Sequence, residues 1–238
     1  QRRFDGAIPE VADPPRGGQP LPKGCALIRL DIFADPVCPW CYIGKANLDL
    51  ALLSRPDHPF VIEWHPFQLN PDMPPEGADK RAYLAAKFGP GGRLDAVHQR
   101  LREMARAAGV EMDPDKPQRI PNTLDAHRLV HWAGIEGRQS EVITSLMQAY
   151  WVQGLDIGDH EVLADTAALA GMNRAEVLRL LASDADAADL LARDEDARRK
   201  GVNAVPTFLV AQKYVVSGAQ PSEVWEKVID EIAGQAAP

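Results

Sequence analysis

Cysteine is scarce in this sequence: it occupies only 3 of the 238 positions, at residues 25, 38 and 41. Secreted domains that rely on disulfide bonds carry a denser cysteine framework, so that class is excluded. Few cysteines are typical of a reducing compartment. Because the first 24 residues also lack the apolar stretch of a signal peptide, we expect a cytoplasmic location.

Positive charge and long apolar runs are also lacking. Lys and Arg number 26 against 34 Asp and Glu, which gives a formal net charge of -8 at pH 7. Nucleic acids and anionic membranes bind clustered positive charge, so neither is expected as a partner. No apolar run approaches the roughly 20 residues that a transmembrane helix needs, so no spanning segment is predicted.

Proline, in contrast, is concentrated at the start of the chain. The stretch "QRRFDGAIPEVADPPRGGQPLPKG" contains 5 of the 20 prolines and predicts an irregular tail over residues 1–24. After it, "CALIRLDIFADP" alternates as a buried strand does, and "FVIEWHPF" at Phe60 to Phe67 predicts a second strand. The apolar spacing between them predicts a helix that starts at "CPWC". This order favours a parallel βαβ unit.

The rest of the chain changes from a helical to a mixed pattern. From Pro71 to about Lys200 the sequence is helical, with "NRAE" at Asn173 to Glu176 as a capping box and Gly134 and Gly171 as helix ends. "NAVPTFLVAQKYVVSGA" then predicts two strands, and "PSEVWEKVIDEI" a closing helix. We therefore predict an α/β domain made of residues 25–70 and 185–238, interrupted by a helical domain over residues 71–184.

The pair Cys38 and Cys41 has three interpretations. A structural zinc site needs four ligands, and the chain offers no second CxxC. His127 and His131 stand at i and i+4 on a predicted helix, but histidines at this spacing are more often structural, so the metal interpretation is disfavoured. Two inert buried thiols are the second possibility, since free cysteine is among the most buried residue types.

The third interpretation is a redox pair, which the position of the motif favours. At a helix N-terminus the free N–H groups and the helix dipole stabilise an anion, so Cys38 is expected to be partly thiolate and nucleophilic. Cys41 lies one turn further and can reach the same face, where it would resolve a mixed disulfide.

A proline late in the chain gives a second, independent signal. "AVPTF" places Pro206 where a strand begins, and proline is poorly tolerated inside central strands. A cis Val205–Pro206 bond would hold backbone polar groups beside the dithiol for a bound peptide, whereas a trans proline at a strand edge fits the same letters.

Six stretches carry a resemblance to a known family, and together they span about residues 28 to 232. They are "FADPVCPWCYIG", "FQLNPDMP", "NTLDAHRL", "AYWVQGLDIGDHEVLADTAALAGM", "GVNAVPTFLV" and "YVVSGAQP". The sequence resembles the DsbA-like thioredoxin superfamily, and within it the FrnE-like branch. The neighbouring branches are the 2-hydroxychromene-2-carboxylate isomerases and the kappa-class glutathione transferases.

The resemblance implies a thioredoxin fold with an inserted α-helical domain. It makes Cys38 the attacking and Cys41 the resolving cysteine, with cis-Pro206 beside them. Pro39 and Trp40 become the dipeptide that tunes the thiolate. Together with the backbone of Val205 and Pro206, that dipeptide forms the expected substrate-binding surface.

The expected activity is thiol-disulfide exchange without a bound cofactor, on a disulfide-containing protein or a small thiol, with glutathione as a possible redox partner. The neighbouring isomerases and transferases resemble the chain but carry serine in place of Cys38. A glutathione-dependent isomerase or transferase is therefore the second hypothesis, and a non-catalytic binding module is the third.

Five further residues are weaker candidates. The resemblance places Asn122, Thr123 and His127 at the active-site groove, although capping preference favours a local structural role for them. Glu63 could serve as a buried base for Cys41, but a partly solvated strand carboxylate is the simpler interpretation. Cys25 lies outside every motif and is expected to be a bystander.

Overall fold

The computed structural model describes residues 27–89 and 93–235 of the chain. The predicted tail and Cys25 lie outside the described residues. Within the described ranges, no helix combines the length and apolarity that crossing a membrane requires.

The first half of the central sheet is a parallel βαβ unit. Strand β1 (Ile28–Ala34) leads into helix α1 (Pro39–Ser54), which returns the chain to strand β2 (Phe60–Pro66). The register pairs Ile28 with Phe60. A helical crossover of this length is what allows two parallel strands to lie side by side.

The second half of the sheet comes from the end of the chain. Strands β5 (Thr207–Val210) and β6 (Tyr214–Ser217) pair antiparallel, and β5 also pairs antiparallel with β1. The sheet order is β2-β1-β5-β6, and helix α9 (Ser222–Gln235) follows. The prediction of an α/β thioredoxin fold built from βαβ and ββα halves is confirmed.

Helix α9 packs against one face of the sheet through an aromatic contact. Ile32 and Phe208 are register partners on one face, and both are fully buried. The Phe208 ring contacts Trp225 of α9 edge-to-face at a centroid distance of 4.6 Å. Such aromatic pairs add packing energy beyond the area that they bury, so α9 is fastened to the sheet on this face.

Helices dominate the chain between the two halves of the sheet. The bounds are α2 (Lys80–Phe88), α3 (Arg93–Ala107), α4 (Leu124–Ile135), α5 (Gln139–Gln148), a π-helical turn (Ala149–Gln153), α6 (His160–Leu169), α7 (Arg174–Leu181) and α8 (Ala187–Arg199). The predicted boundary at residue 184 falls between α7 and α8. The division into two domains stays a prediction.

Details of the helical segment differ from expectation. Two short strands, β3 (Ala78–Asp79) and β4 (Arg119–Ile120), pair antiparallel within it. Gly134 does not end a helix: α4 continues to Ile135, and the left-handed residue that follows it is Gly137, with φ of 69°. The cap at Asn173, in contrast, agrees with the prediction: its side chain caps α7 by accepting a hydrogen bond from the Glu176 amide at 3.1 Å.

Candidate active site

Cys38 occupies the N-cap of α1. Its backbone is extended, with φ of -83° and ψ of 116°, and its sulfur accepts a hydrogen bond from the Cys41 amide at 3.4 Å. Pro39 follows at the first helical position, where its fixed φ suits the helix and its missing N–H costs nothing. Both Cys38 and Cys41 are reduced thiols. The helix N-terminus therefore points a backbone donor at the first sulfur.

The loop before β5 lies directly against this cysteine. The Val205–Pro206 peptide bond is cis, and the Cys38 thiol donates to the Val205 carbonyl at 3.6 Å. The Pro206 carbonyl accepts from the Gly218 amide at 2.8 Å, which ties the loop to the end of β6. Strand β5 thus carries a peptide segment to within reach of the first sulfur, although the two are far apart in sequence.

Exposure differs among the six predicted site residues. Cys38, Cys41, Val205 and Pro206 are buried, whereas Pro39 and Trp40 are partly exposed. Burial raises the pKa of the Cys41 thiol well above its usual range; the neighbouring Cys38 adds to the rise, and so does the charge of Asp35. Cys41 therefore needs help to lose its proton.

Asp35 lies at the end of β1 and was missed by the sequence analysis. It has no exposed surface, and its carboxylate accepts from the Leu69 amide at 2.7 Å and the Val37 amide at 3.2 Å. Burial raises the pKa of Asp35 to about 7, against the opposing effect of these hydrogen bonds. The available signal was an acidic residue three positions before the first cysteine, but "DP" equally suits a turn.

The motif "NTLDAHRL" divides its roles among three residues. The Thr123 hydroxyl donates to Asp35 Oδ2 at 3.4 Å, which connects the start of α4 to the dithiol region. Asn122 accepts from the Leu124 amide at 2.9 Å just before α4, whose N-cap residue is Thr123 and has no side-chain cap hydrogen bond. His127 is buried one turn further along α4 and lines a cavity beside β2.

The π-helical turn also reaches the site. The Trp151 indole donates to the Pro36 carbonyl at 3.2 Å, so it holds the loop between Asp35 and Cys38. The Tyr150 hydroxyl donates to the Arg119 carbonyl at 2.9 Å. The Trp151 contact joins the helical segment to the loop that precedes the dithiol, whereas the Tyr150 contact holds the turn to β4 within the helical segment.

Glu63 is not a base for Cys41 in this structure. Its side chain is 42% exposed and pairs with the guanidinium of Arg29 at 3.0 Å. Among the described residues, Asp31, Glu63 and His65 form the group whose ligand atoms could surround a metal ion. Arg29 also contacts Asp31 Oδ1 at 2.5 Å, so a cation from the chain itself already neutralises these carboxylates.

Comparison with known proteins defines the class first. A family model described as a DSBA-like thioredoxin domain matches residues 29–230, and the chain belongs to that family. Among curated proteins, it is 26% identical over 217 residues to the uncharacterized protein YwbO of Bacillus subtilis, a match that covers 86% of this chain and 96% of that protein.

Two solved structures show how far the likeness extends. A probable DsbA oxidoreductase from Streptomyces coelicolor is 29% identical, with a TM-score of 0.79, and the match covers 89% of this chain and 92% of that one. A 2-hydroxychromene-2-carboxylate isomerase is 20% identical, with a TM-score of 0.66 and coverage of 87% and 97%. The second likeness shows a shared fold.

Proposed function

We propose that this protein is a thiol-disulfide oxidoreductase that exchanges disulfides through Cys38 and Cys41. The observation that carries the proposal is the N-cap position of Cys38, where the Cys41 N–H meets the sulfur at 3.4 Å. A donor in this position stabilises the thiolate, which is the nucleophile in disulfide exchange. Membership of the DSBA-like family supports the same reaction class.

The exchange proceeds in two attacks. The Cys38 thiolate attacks one sulfur of a substrate disulfide, a mixed disulfide forms, and the first substrate thiolate leaves and takes a proton. Cys41 then loses its proton and attacks the Cys38 sulfur, which releases the second substrate thiol. Two electrons pass from the dithiol to the substrate, and the reverse sequence oxidises a substrate dithiol.

Asp35 is the group that we assign to the proton of Cys41. The carboxylate is close enough for its charge to raise the pKa of that thiol. Its own pKa of about 7 makes it an effective proton acceptor near neutral pH, because a general base works best when its pKa is close to the operating pH.

The substrate is proposed to lie across the cis-proline loop. The Val205 carbonyl, which accepts from the Cys38 thiol in this structure, can accept instead from the backbone N–H of a bound peptide. Pro39 and Trp40 are partly exposed beside it and offer an apolar surface. The proposed substrate is a disulfide-containing protein or a small thiol such as glutathione, in a cytoplasmic setting and without a bound cofactor.

Reduction of insulin by dithiothreitol tests the proposal. Wild type should accelerate insulin precipitation, and Cys38→Ser should reduce the rate to the uncatalysed level because the nucleophile is gone. Cys25→Ser is the matched control and should keep full activity. If Cys38→Ser retained activity, the redox assignment would be wrong.

The same variants address the isomerase hypothesis. A glutathione-dependent isomerase or transferase would turn over an aromatic substrate at a rate that Cys41→Ser leaves unchanged. Under the redox proposal, Cys41→Ser removes the resolving thiol and prevents release of product. The isomerase would be favoured if wild type and Cys41→Ser turned over a hydroxychromene carboxylate at the same rate and neither cysteine variant changed the rate of insulin reduction.

A further inference from the structure

Strand β2 is the outer strand of the sheet, and its free edge is covered at two of three positions. The Phe60 N–H donates to His58 Nδ1 at 3.2 Å. The Trp64 N–H donates to Gln139 Oε1 at 3.0 Å, and the Trp64 carbonyl accepts from Gln139 Nε2 at 3.4 Å. At Trp64, a side-chain carboxamide therefore replaces a neighbouring strand.

Ile62 lies between these two positions and has the same orientation. Alternate residues of a strand turn their N–H and C=O groups to the same edge, so the peptide groups of Ile62 face outward as those of Trp64 do. Among the described hydrogen bonds, none involves the outward N–H or carbonyl of Ile62. The Ile62 N–H and carbonyl therefore form a donor and an acceptor without a partner among the described residues. His58 and Gln139 cover the strand edge on either side of them.

A cavity of about 430 Å³ lies at this opening. Ligand pockets commonly have this size, with apolar walls and a few polar groups. The apolar part of the wall includes Val61 and Ile62 of β2, Val130 of α4 and Leu190 of α8. An open strand edge and an apolar wall therefore share one cavity.

A buried imidazole lines the same cavity. His127 is only 3% exposed, and its Nε2 atom has no hydrogen-bond partner among the described residues. Leaving a buried polar atom without a hydrogen-bond partner is energetically unfavourable.

We propose that this cavity binds a small neutral molecule that carries a carboxamide on an apolar ring. The carboxamide oxygen accepts from the Ile62 N–H, and its N–H donates to the Ile62 carbonyl. This is the pairing that Gln139 makes with Trp64 one step along the strand.

The alternatives fit the opening less well. A carboxylate has no donor for the Ile62 carbonyl, and the two arginines that line the cavity, Arg29 and Arg193, already pair with Glu63 and Asp189. An ammonium group has no acceptor for the Ile62 N–H. A peptide strand is too long, because His58 and Gln139 close the edge on both sides of Ile62.

Benzamide is the probe, and the amide resonance of Ile62 is the reporter. Titration followed by NMR should give a saturable shift of the Ile62 N–H with an affinity in the millimolar range, as expected for a ligand of this size. N,N-dimethylbenzamide keeps the ring and the carbonyl but cannot donate, so it should bind about tenfold more weakly.

A pair of variants on the two outer strands locates the site. Val61 is 47% exposed at the cavity, so Val61→Trp should fold normally and weaken benzamide binding about tenfold by filling the cavity. Val215 is 63% exposed on β6 at the other edge of the sheet, so Val215→Trp is the matched control and should bind as wild type.

Three results would overturn the proposal. They are an Ile62 shift that does not saturate, equal binding of benzamide and its dimethyl analogue, and unchanged affinity in Val61→Trp. The readout is independent of Cys38 and Cys41, so loss of benzamide binding and loss of insulin reduction are separate outcomes.

Discussion

Asp35, which follows β1 and contacts Thr123 at the N-cap of α4, and His127, which lies within α4, are both buried titratable side chains, but their surroundings differ. Asp35 accepts two backbone amides and the Thr123 hydroxyl. The Nε2 atom of His127 has no partner among the described residues. The carboxyl group of Asp35 beside the dithiol has hydrogen-bond partners, whereas Nε2 of His127 and the outward peptide groups of Ile62 have none among the described residues.

Packing shows the same contrast. A Cβ atom at Gly44 of α1 would lie only 3.0 Å from Cγ of Pro206 and 3.3 Å from Cα of Ala219. The helix that carries the dithiol therefore approaches the cis-proline loop as closely as a glycine allows. Along β2, in contrast, the chain leaves the cavity that His127 lines. Tight packing holds the proposed reacting groups in position, and the open edge leaves room for a ligand.

Asp35→Asn is expected to have the largest effect. Folded Asp35 holds its proton up to about pH 7, whereas the unfolded chain releases it near 3.8. Between these values the folded state binds more protons, so this residue lowers the free energy of unfolding by about 4 kcal/mol as pH rises. The variant should lose that decline, which urea denaturation at several pH values measures.

The same variant tests the role of Asp35 in proton transfer. Without the carboxylate, the rate of insulin reduction at neutral pH should fall about a hundredfold. Asp115→Asn is the control: its pKa is lowered from 3.8, so its removal should change the pH slope of stability in the opposite sense. A variant of Asp35 with wild-type rate and wild-type slope would remove the contrast with His127.

His127→Phe should have a smaller effect of opposite sign. Burial lowers the pKa of His127 to about 4 from 6.5, so the unfolded chain binds more protons between these values. The free energy of unfolding therefore falls by about 3 kcal/mol as pH drops through this window. The variant should keep that stability at pH 4, whereas above pH 7 its difference from wild type should no longer vary with pH. Direct NMR titration of His127 in wild type checks the cause.

Gly44→Ala is expected to have the smallest of these effects. The added methyl meets the rigid ring of Pro206, and overpacking of this kind costs about 2 kcal/mol. Thermal denaturation measures the loss, and disulfide exchange should slow because the cis-proline loop moves away from Cys38. Gly234→Ala, in α9 with nothing within 4 Å, is the matched control and should stabilise the protein by about 1 kcal/mol. Equal effects at both glycines would mean that the dithiol end is not tightly packed.

The sequence predicted the sheet better than its surroundings. Alternating apolar residues predicted β1, runs of strand-forming residues predicted β2, β5 and β6, and the helical spacing of apolar residues predicted α1 with its start at the CPWC motif. Strands β3 and β4 were missed because two residues are too short for any periodicity. Gly134 was misjudged because a glycine inside a helix and a glycine that ends one look alike until the backbone angle is known.

The candidate site shows the same limit. The two cysteines and Pro206 were recognisable because each stands in a local motif. Asp35 was not, since two of the groups that hydrogen-bond its carboxyl belong to Leu69 and Thr123, which are distant in sequence. The cavity beside Ile62 depends on how α4, α5 and α8 pack against β2, and no local pattern encodes that arrangement.

Trapping of a mixed disulfide tests the central claim most directly. Cys41→Ser, mixed with a peptide that contains a disulfide, should accumulate a covalent adduct on Cys38, because the resolving thiol is absent while the nucleophile remains. Intact mass under non-reducing conditions and peptide mapping identify the adduct, and the double variant Cys38→Ser with Cys41→Ser should form none. An adduct that mapped to Cys25, or no adduct in Cys41→Ser, would contradict the account.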